Sequence, residues 1–171
     1  MLQLSTPRRS PSPAAAPAAL LGLLASVPVG CAPVPEGAGV GQRPPTIELT
    51  DENGSPAPLP DDGLTAVVVW ASWCRPCQAT ALALAAAPPP PGLALAHVAV
   101  GGAPPVDLGV AAAWGLPGAP RFAPTPALLQ GWAVEALPTI LLLDGRGVVR
   151  MRGDDWPATR RVAAELLAHD D

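Results

Sequence analysis

Trp73-Cys74-Arg75-Pro76-Cys77 comes three residues after Leu64–Trp70, an uncharged run containing Val67, Val68 and Val69. The run reads as a buried strand. Arg75–Ala87, rich in Ala and Leu, reads as a helix, with Pro76 suited to its first turn and Pro88–Pro91 to stop it. The cysteine pair therefore sits where a strand turns into a helix. Two cysteines separated by two residues in a first helical turn bring their sulfurs close enough for a small disulfide ring. The first sulfur then lies near the helix-terminal amides, whose partial positive charge stabilises a thiolate. A thiolate is the species that attacks a disulfide. Cys74 thus reads as the nucleophile and Cys77 as the resolving thiol. Pro76 stiffens the ring, and Arg75 either lowers the Cys74 pKa further or points into water.

Other uses of the pair fit less well. A static disulfide across two residues closes too short a loop to stabilise much. A zinc site lacks a second Cys-x-x-Cys, and His97 and His169 are isolated, so no metal is expected. Haem attachment needs His where Gln78 stands. His97 reads as a core or edge residue of an apolar strand. Trp70, Trp114, Trp132 and Trp156 read as core. Trp73 reads as apolar surface beside the thiol, or as simple packing.

The rest of the 171 residues supply one domain and a tail. Pro and Gly make up about a quarter of the chain, so some stretches must be linker or loop. All ten basic residues are arginine, scattered without a patch, and the formal charge is −4, which argues against a nucleic-acid partner. Thr46–Leu49, the Asp51–Gly54 turn and Ser55–Leu59 read as a hairpin. Leu93–Val100 is a strand, Val106–Trp114 a helix and Gly115–Thr125 a loop with a degenerate strand near Phe122. Pro126–Trp132 is a short helix. Thr139–Leu143 and Val148–Arg152 form a hairpin about Asp144–Gly147, and Pro157–Ala168 is the last helix. This order predicts an α/β fold, a mixed sheet covered by helices.

Residues 1–30 read as a signal peptide: Arg8 and Arg9, then an uncharged stretch centred on Leu20–Leu24. Export permits disulfide chemistry. Residues 31–45 read as a Pro/Gly-rich linker and 46–171 as the domain. Cys31, after Gly30, resembles the lipidated cysteine of bacterial lipoproteins, although Pro28 stands where that pattern prefers Leu. The alternative is cleavage after Ala32, which discards Cys31.

Three segments together resemble the thioredoxin superfamily, and within it the TlpA/ResA-like exported thiol–disulfide oxidoreductases. They are Ile47–Leu49 with its Asn53-Gly54 turn, Val69–Cys77, and Trp132–Arg150 with Leu137-Pro138-Thr139 before an apolar strand. The resemblance implies a thioredoxin-like sheet with an N-terminal β-hairpin extension. It implies that Pro138 is cis and faces the Cys-x-x-Cys, with Leu137 and Pro138 contacting substrate. It implies a redox-active Cys74–Cys77 disulfide in place of a cofactor. Trp73, Arg75 and Pro76 become active-site neighbours, a disulfide-containing protein the substrate, and a membrane thiol reductant the electron donor. The family's best-known task is keeping apocytochrome c thiols reduced. Oxidase or isomerase activity, or a non-catalytic thioredoxin-like binding module, are the rival expectations. Two departures stand out. Thioredoxin's buried carboxylate is replaced by Val68, and the glutamate and proline that many relatives carry after the second cysteine are Thr80 and Leu82.

Overall fold

A computed structural model of the chain describes residues 37–169. The expected signal peptide and Cys31 lie outside the described residues, as does the first part of the linker. Strand β1 (Leu64–Trp70) is the centre: all seven residues are buried, as the valine run requires. It leads through Ala71–Trp73 into helix α1 (Arg75–Ala86), and the chain returns as β2 (Leu93–Ala99), parallel to β1 from Leu64↔Leu93 to Trp70↔Ala99. Helix α2 (Pro104–Trp114) follows, then a two-residue β3 (Arg121–Phe122) parallel to β2. After α3 (Thr125–Gly131) the chain enters the sheet from the other direction. β4 (Thr139–Leu143) runs antiparallel to β1, and β5 (Val149–Gly153) antiparallel to β4. Helix α4 (Trp156–His169) closes the domain. The sheet order is β3-β2-β1-β4-β5, a mixed five-stranded sheet flanked by four helices.

The expected N-terminal hairpin is present as a turn, and its flanks do not form two strands. Asp51 closes the turn by accepting from the amides of Asn53 and Ser55, both at 2.8 Å. Beyond that, only the bridge Thr50↔Pro56 remains. The reason is Pro56, Pro58 and Pro60: each ring fixes φ at about −65°, far from the roughly −140° of antiparallel strands, so pairing stops after one bridge. The turn instead covers the outer edge of β3. Thr50 and Phe122 exchange both backbone hydrogen bonds at 2.9 Å, and Arg121 Nε donates to the carbonyls of Ala57 and Pro58 at 3.0 and 3.1 Å. A covered edge cannot recruit another strand.

At the other end of the domain, α4 secures the proline run after α1. Trp156 Nε1 donates to the Ala87 carbonyl at 2.6 Å, and Arg160 Nε to that of Pro88 at 2.9 Å. Trp70, Trp132 and Trp156 are buried, as expected, while Trp114 is only partly so. The Trp70 and Trp114 rings lie with centroids 5.4 Å apart.

His97 is a core residue, 1% exposed, beside Val68 in the β1–β2 register. Trp70 Nε1 donates to its Nδ1 at 3.2 Å. An indole can only donate, so Nδ1 is the acceptor, and Nε2 carries the proton that faces the Gly118 carbonyl at 3.2 Å. The neutral ring thus links the strand leading to the cysteines with the loop after α2. Burial holds the His97 pKa below its ordinary value, against the pull of the Gly118 and Pro117 carbonyls. As pH falls through about 6.5, the unfolded chain takes up this proton and the folded one does not. The stability held by neutral His97 is therefore complete above that pH and declines below it. Denaturant titrations between pH 7.5 and 5 should show this decline, and His97→Gln should flatten it. An unchanged slope in the variant would remove His97 as its source.

Candidate functional site

Cys74 is the residue that caps α1. Its backbone is extended (φ −86°, ψ 106°), and its sulfur accepts from the Cys77 N–H at 3.2 Å. Pro76, in the first turn, removes a donor that would have no helical partner anyway. Cys74 and Cys77 are joined by a disulfide with Cα atoms 5.3 Å apart. Both are buried, at 5% and 3% exposure, but they are not equivalent. Cys74 lines a groove of about 380 Å³, and Cys77 does not. Trp73, Arg75 and Pro76 form one side of that groove with Cys74, and Val134 to Leu137 another. Trp73 is 69% exposed and borders the groove beside Cys74. Arg75 is also exposed, with no ion pair among the described residues.

The Leu137–Pro138 peptide is cis. Leu137 borders the groove that holds Cys74. Pro138 borders a second groove of about 540 Å³, shared with Ala133, Glu135, Arg152 and Asp154. Residues 134–137 are therefore a wall with a hollow on each side. Thr139 Oγ1 donates to the Ala136 carbonyl at 2.7 Å, and the Val134 N–H to the Leu129 carbonyl at 2.8 Å. No hydrogen bond among the described residues occupies the Leu137 amide or carbonyl. The wall thus keeps free backbone groups beside the sulfur.

Sequence reasoning missed how this wall is mounted. Helix α3 ends with Ala133 N–H bonded to the Gln130 carbonyl and Val134 N–H to that of Leu129, a wrap that needs a left-handed residue at Ala133. Helix α2 ends the same way on Gly115 at φ +72°, but here alanine sits at φ +48°. That costs on the order of 1 kcal/mol for a residue with a Cβ. Arg152 holds the turn from β5: Nη1 donates to the Trp132 carbonyl at 2.9 Å and to that of Ala38 at 3.3 Å, and Nη2 donates to that of Ala133. An arginine in a hairpin strand carries no signal for this in the sequence. Gly101 and Thr125 were also unseen. Both line the groove at Cys74, and the Gly101 N–H donates to Thr125 Oγ1 at 3.1 Å.

Among the described residues, no carboxylate lines the groove except that of Glu135. Val68 is buried, and Thr80, one turn beyond Cys77, turns its hydroxyl to the Pro76 carbonyl at 3.4 Å. Asp107, in the first turn of α2, is 1% exposed, and neither of its oxygens has a hydrogen-bond partner among the described residues. It lies against Gly102, outside the groove. Among the described residues no group of three His, Cys, Asp or Glu is placed to hold a metal ion, and no helix is long and apolar enough to cross a membrane.

No protein-family model matches the chain, and no curated relative does. Solved structures do resemble it. One is a secreted Mycobacterium tuberculosis disulfide oxidoreductase homologous to Escherichia coli DsbE, with a TM-score of 0.57 and 16% identity over 69% of this chain and 94% of that one. Another is the thioredoxin domain of a thiol–disulfide oxidoreductase from Bacteroides vulgatus, at 0.60 and 18% over 73% and 98%. The domain has a thioredoxin fold. StoA from Bacillus subtilis matches as well, at 0.52 and 20% over 64% and 87%. At such identities the likeness speaks for the fold. Within that thioredoxin fold, Leu137 of the cis Leu137–Pro138 peptide borders the groove of Cys74, while Pro138 itself borders the second groove.

The Cys77 N–H and the start of α1 lie beside the Cys74 sulfur, a placement that favours a thiolate over a thiol there. Arg75, exposed and unpaired, adds little through water. Alkylation rate against pH should place Cys74 below a free thiol, and Arg75→Ala should retain most of that lowering. A return to the free-thiol profile in Arg75→Ala would assign the effect to the guanidinium.

Proposed function

We propose that this protein is an exported thiol–disulfide oxidoreductase that reduces protein disulfides. The observation that carries the reading is the Cys74–Cys77 disulfide at the start of α1, with Cys74 alone facing the groove beneath Leu137. In the reduced protein, the Cys74 thiolate attacks one sulfur of a substrate disulfide. The other substrate sulfur leaves as a thiolate, and a mixed disulfide forms. Cys77, losing its proton to water, attacks the Cys74 sulfur and releases the second substrate thiol. Two electrons pass to the substrate and the protein is left oxidised. A membrane thiol reductant then restores the dithiol. The free amide and carbonyl of Leu137 pair with the extended substrate backbone, and Pro138 keeps that strip facing the sulfurs. Trp73 offers the substrate an apolar surface.

The basic, then apolar, residues 1–30 support export, and the secreted mycobacterial neighbour is consistent with it. Lipidation of Cys31 would hold the domain at the outer face of the membrane. Wild-type protein in its host should then incorporate labelled palmitate and Cys31→Ser should not, whereas unlabelled protein beginning at Pro33 would contradict the anchor. Keeping apocytochrome c thiols reduced is a task that suits this chemistry and place.

The roles of the two thiols separate by trapping. Cys77→Ser should accumulate mixed disulfides with substrate proteins, because attack survives and resolution does not. Cys74→Ser should accumulate at least tenfold fewer. Equal trapping would reverse or erase the assignment, and no trapping by either would favour a binding module.

A further inference from the structure

We propose that Arg152 is the positioning residue that sets the substrate-binding wall at its working distance from Cys74, an inference that rests on the oxidoreductase reading. One side of the groove is built on the most buried part of the domain. Trp73 to Pro76 follow β1 and begin α1, and their place is fixed by a strand buried along its whole length. The other side, Val134 to Leu137, belongs to no strand or helix. It hangs between the end of α3 and the start of β4, where Ala133 adopts a left-handed conformation that glycine would adopt more readily.

Arg152 spans the gap between these two regimes. It lies on β5 opposite Leu141 of β4, and Leu141 in turn lies opposite Val67 of β1. The side chain therefore starts from the same rigid sheet that aims Cys74. Its guanidinium is directed onto the two carbonyls immediately before the wall, those of Trp132 and Ala133, and onto Ala38 of the N-terminal segment. That segment is fastened to the same strand, because Gly41 and Gln42 exchange backbone hydrogen bonds with Val149 at 2.8 Å. A planar guanidinium with several fixed donors can hold diverging carbonyls at set angles, which an ammonium cannot. Among the described residues, all of this guanidinium's acceptors are backbone carbonyls, and no carboxylate pairs with it. Arg152 also borders the hollow behind Pro138, on the far side of the wall from the sulfurs. It therefore acts on the wall's placement without touching the reacting atoms.

A loose wall would harm only substrates that use it. A polypeptide disulfide must pair with Leu137, so its KM depends on where the wall stands. A small aromatic disulfide such as 5,5′-dithiobis(2-nitrobenzoate) needs only the Cys74 thiolate. The test compares full-length wild type, Arg152→Ala and Arg152→Lys with insulin, using dithiothreitol as donor, and with the small disulfide in a single turnover of pre-reduced protein freed of dithiothreitol. Arg152→Ala should raise the KM for insulin about fivefold or more and leave kcat and the small-disulfide rate within twofold. Arg152→Lys, with a compact ammonium in place of the rigid fork, should fall between. An unchanged KM in Arg152→Ala overturns the proposal, and so does an equal loss with both substrates, which marks a general structural role. Should Arg152→Ala fail to fold, Arg152→Lys decides by the same comparison. Wild type that reduces the small disulfide but not insulin would overturn the oxidoreductase reading, and this inference with it.

Discussion

Burial of β1 on both faces is the constraint on which the rest depends. Seven consecutive residues without a charge can be stable only inside the sheet, between helices, and they must be the strand with neighbours on each side. Once β1 is central, its C-terminal end opens into a tight turn, where the Cys74 N–H bonds to the Ala71 carbonyl at 3.0 Å, and the helix begins at once. Cys74 is thus both the last residue before α1 and the cap that its first amides face. The chemistry of the sulfur follows from packing several residues away.

One buried and two half-buried polar side chains join parts of the domain that packing alone leaves apart. His97 ties β1 to the loop after α2 through Trp70 and Gly118. Arg121 ties the N-terminal turn to the sheet edge, and Arg152 ties the segment before Pro138 to β5. In each case the partner on at least one side is a backbone carbonyl in a loop rich in Pro, Gly or Ala. Such loops have few side chains with which to fix themselves, so the fixing comes from a neighbouring strand. Asp107, in the first turn of α2, and Thr65, in β1, are exceptions: both are buried, and neither the Asp107 oxygens nor Thr65 Oγ1 has a hydrogen-bond partner among the described residues.

Much of this was legible in the chain. The bounds of β1 and β4 follow directly from Leu64–Trp70 and Thr139–Leu143, because apolar runs flanked by turn residues leave little freedom. The start of α1 was set by Cys74 and Pro76, and the cis peptide at Pro138 followed from its resemblance to a known pattern. The N-terminal hairpin was legible only as a turn, since the alternating apolar residues there compete with prolines that cannot serve a ladder. Helix α2 began two residues earlier than its apolar pattern suggested, because Pro104 and Pro105 suit a first turn as well as a loop. Arg152 was beyond reach. Its acceptors are carbonyls of Ala38, Trp132 and Ala133, and backbone acceptors leave no trace in a sequence.

The central claim is that Cys74 and Cys77 form a working dithiol that donates electrons, with the helix start as the main support for the thiolate. A single helix terminus and an exposed Arg75 give modest thiolate stabilisation, and modest stabilisation leaves the disulfide the more stable form. The most direct measurement is the reduction potential of the pair, by equilibration of the full chain with glutathione or dithiothreitol buffers. The account predicts a potential closer to about −270 mV, typical of a thioredoxin, than to about −120 mV, typical of a strong oxidant. A value near the oxidising end, or a disulfide that does not exchange while the protein is folded, would contradict it.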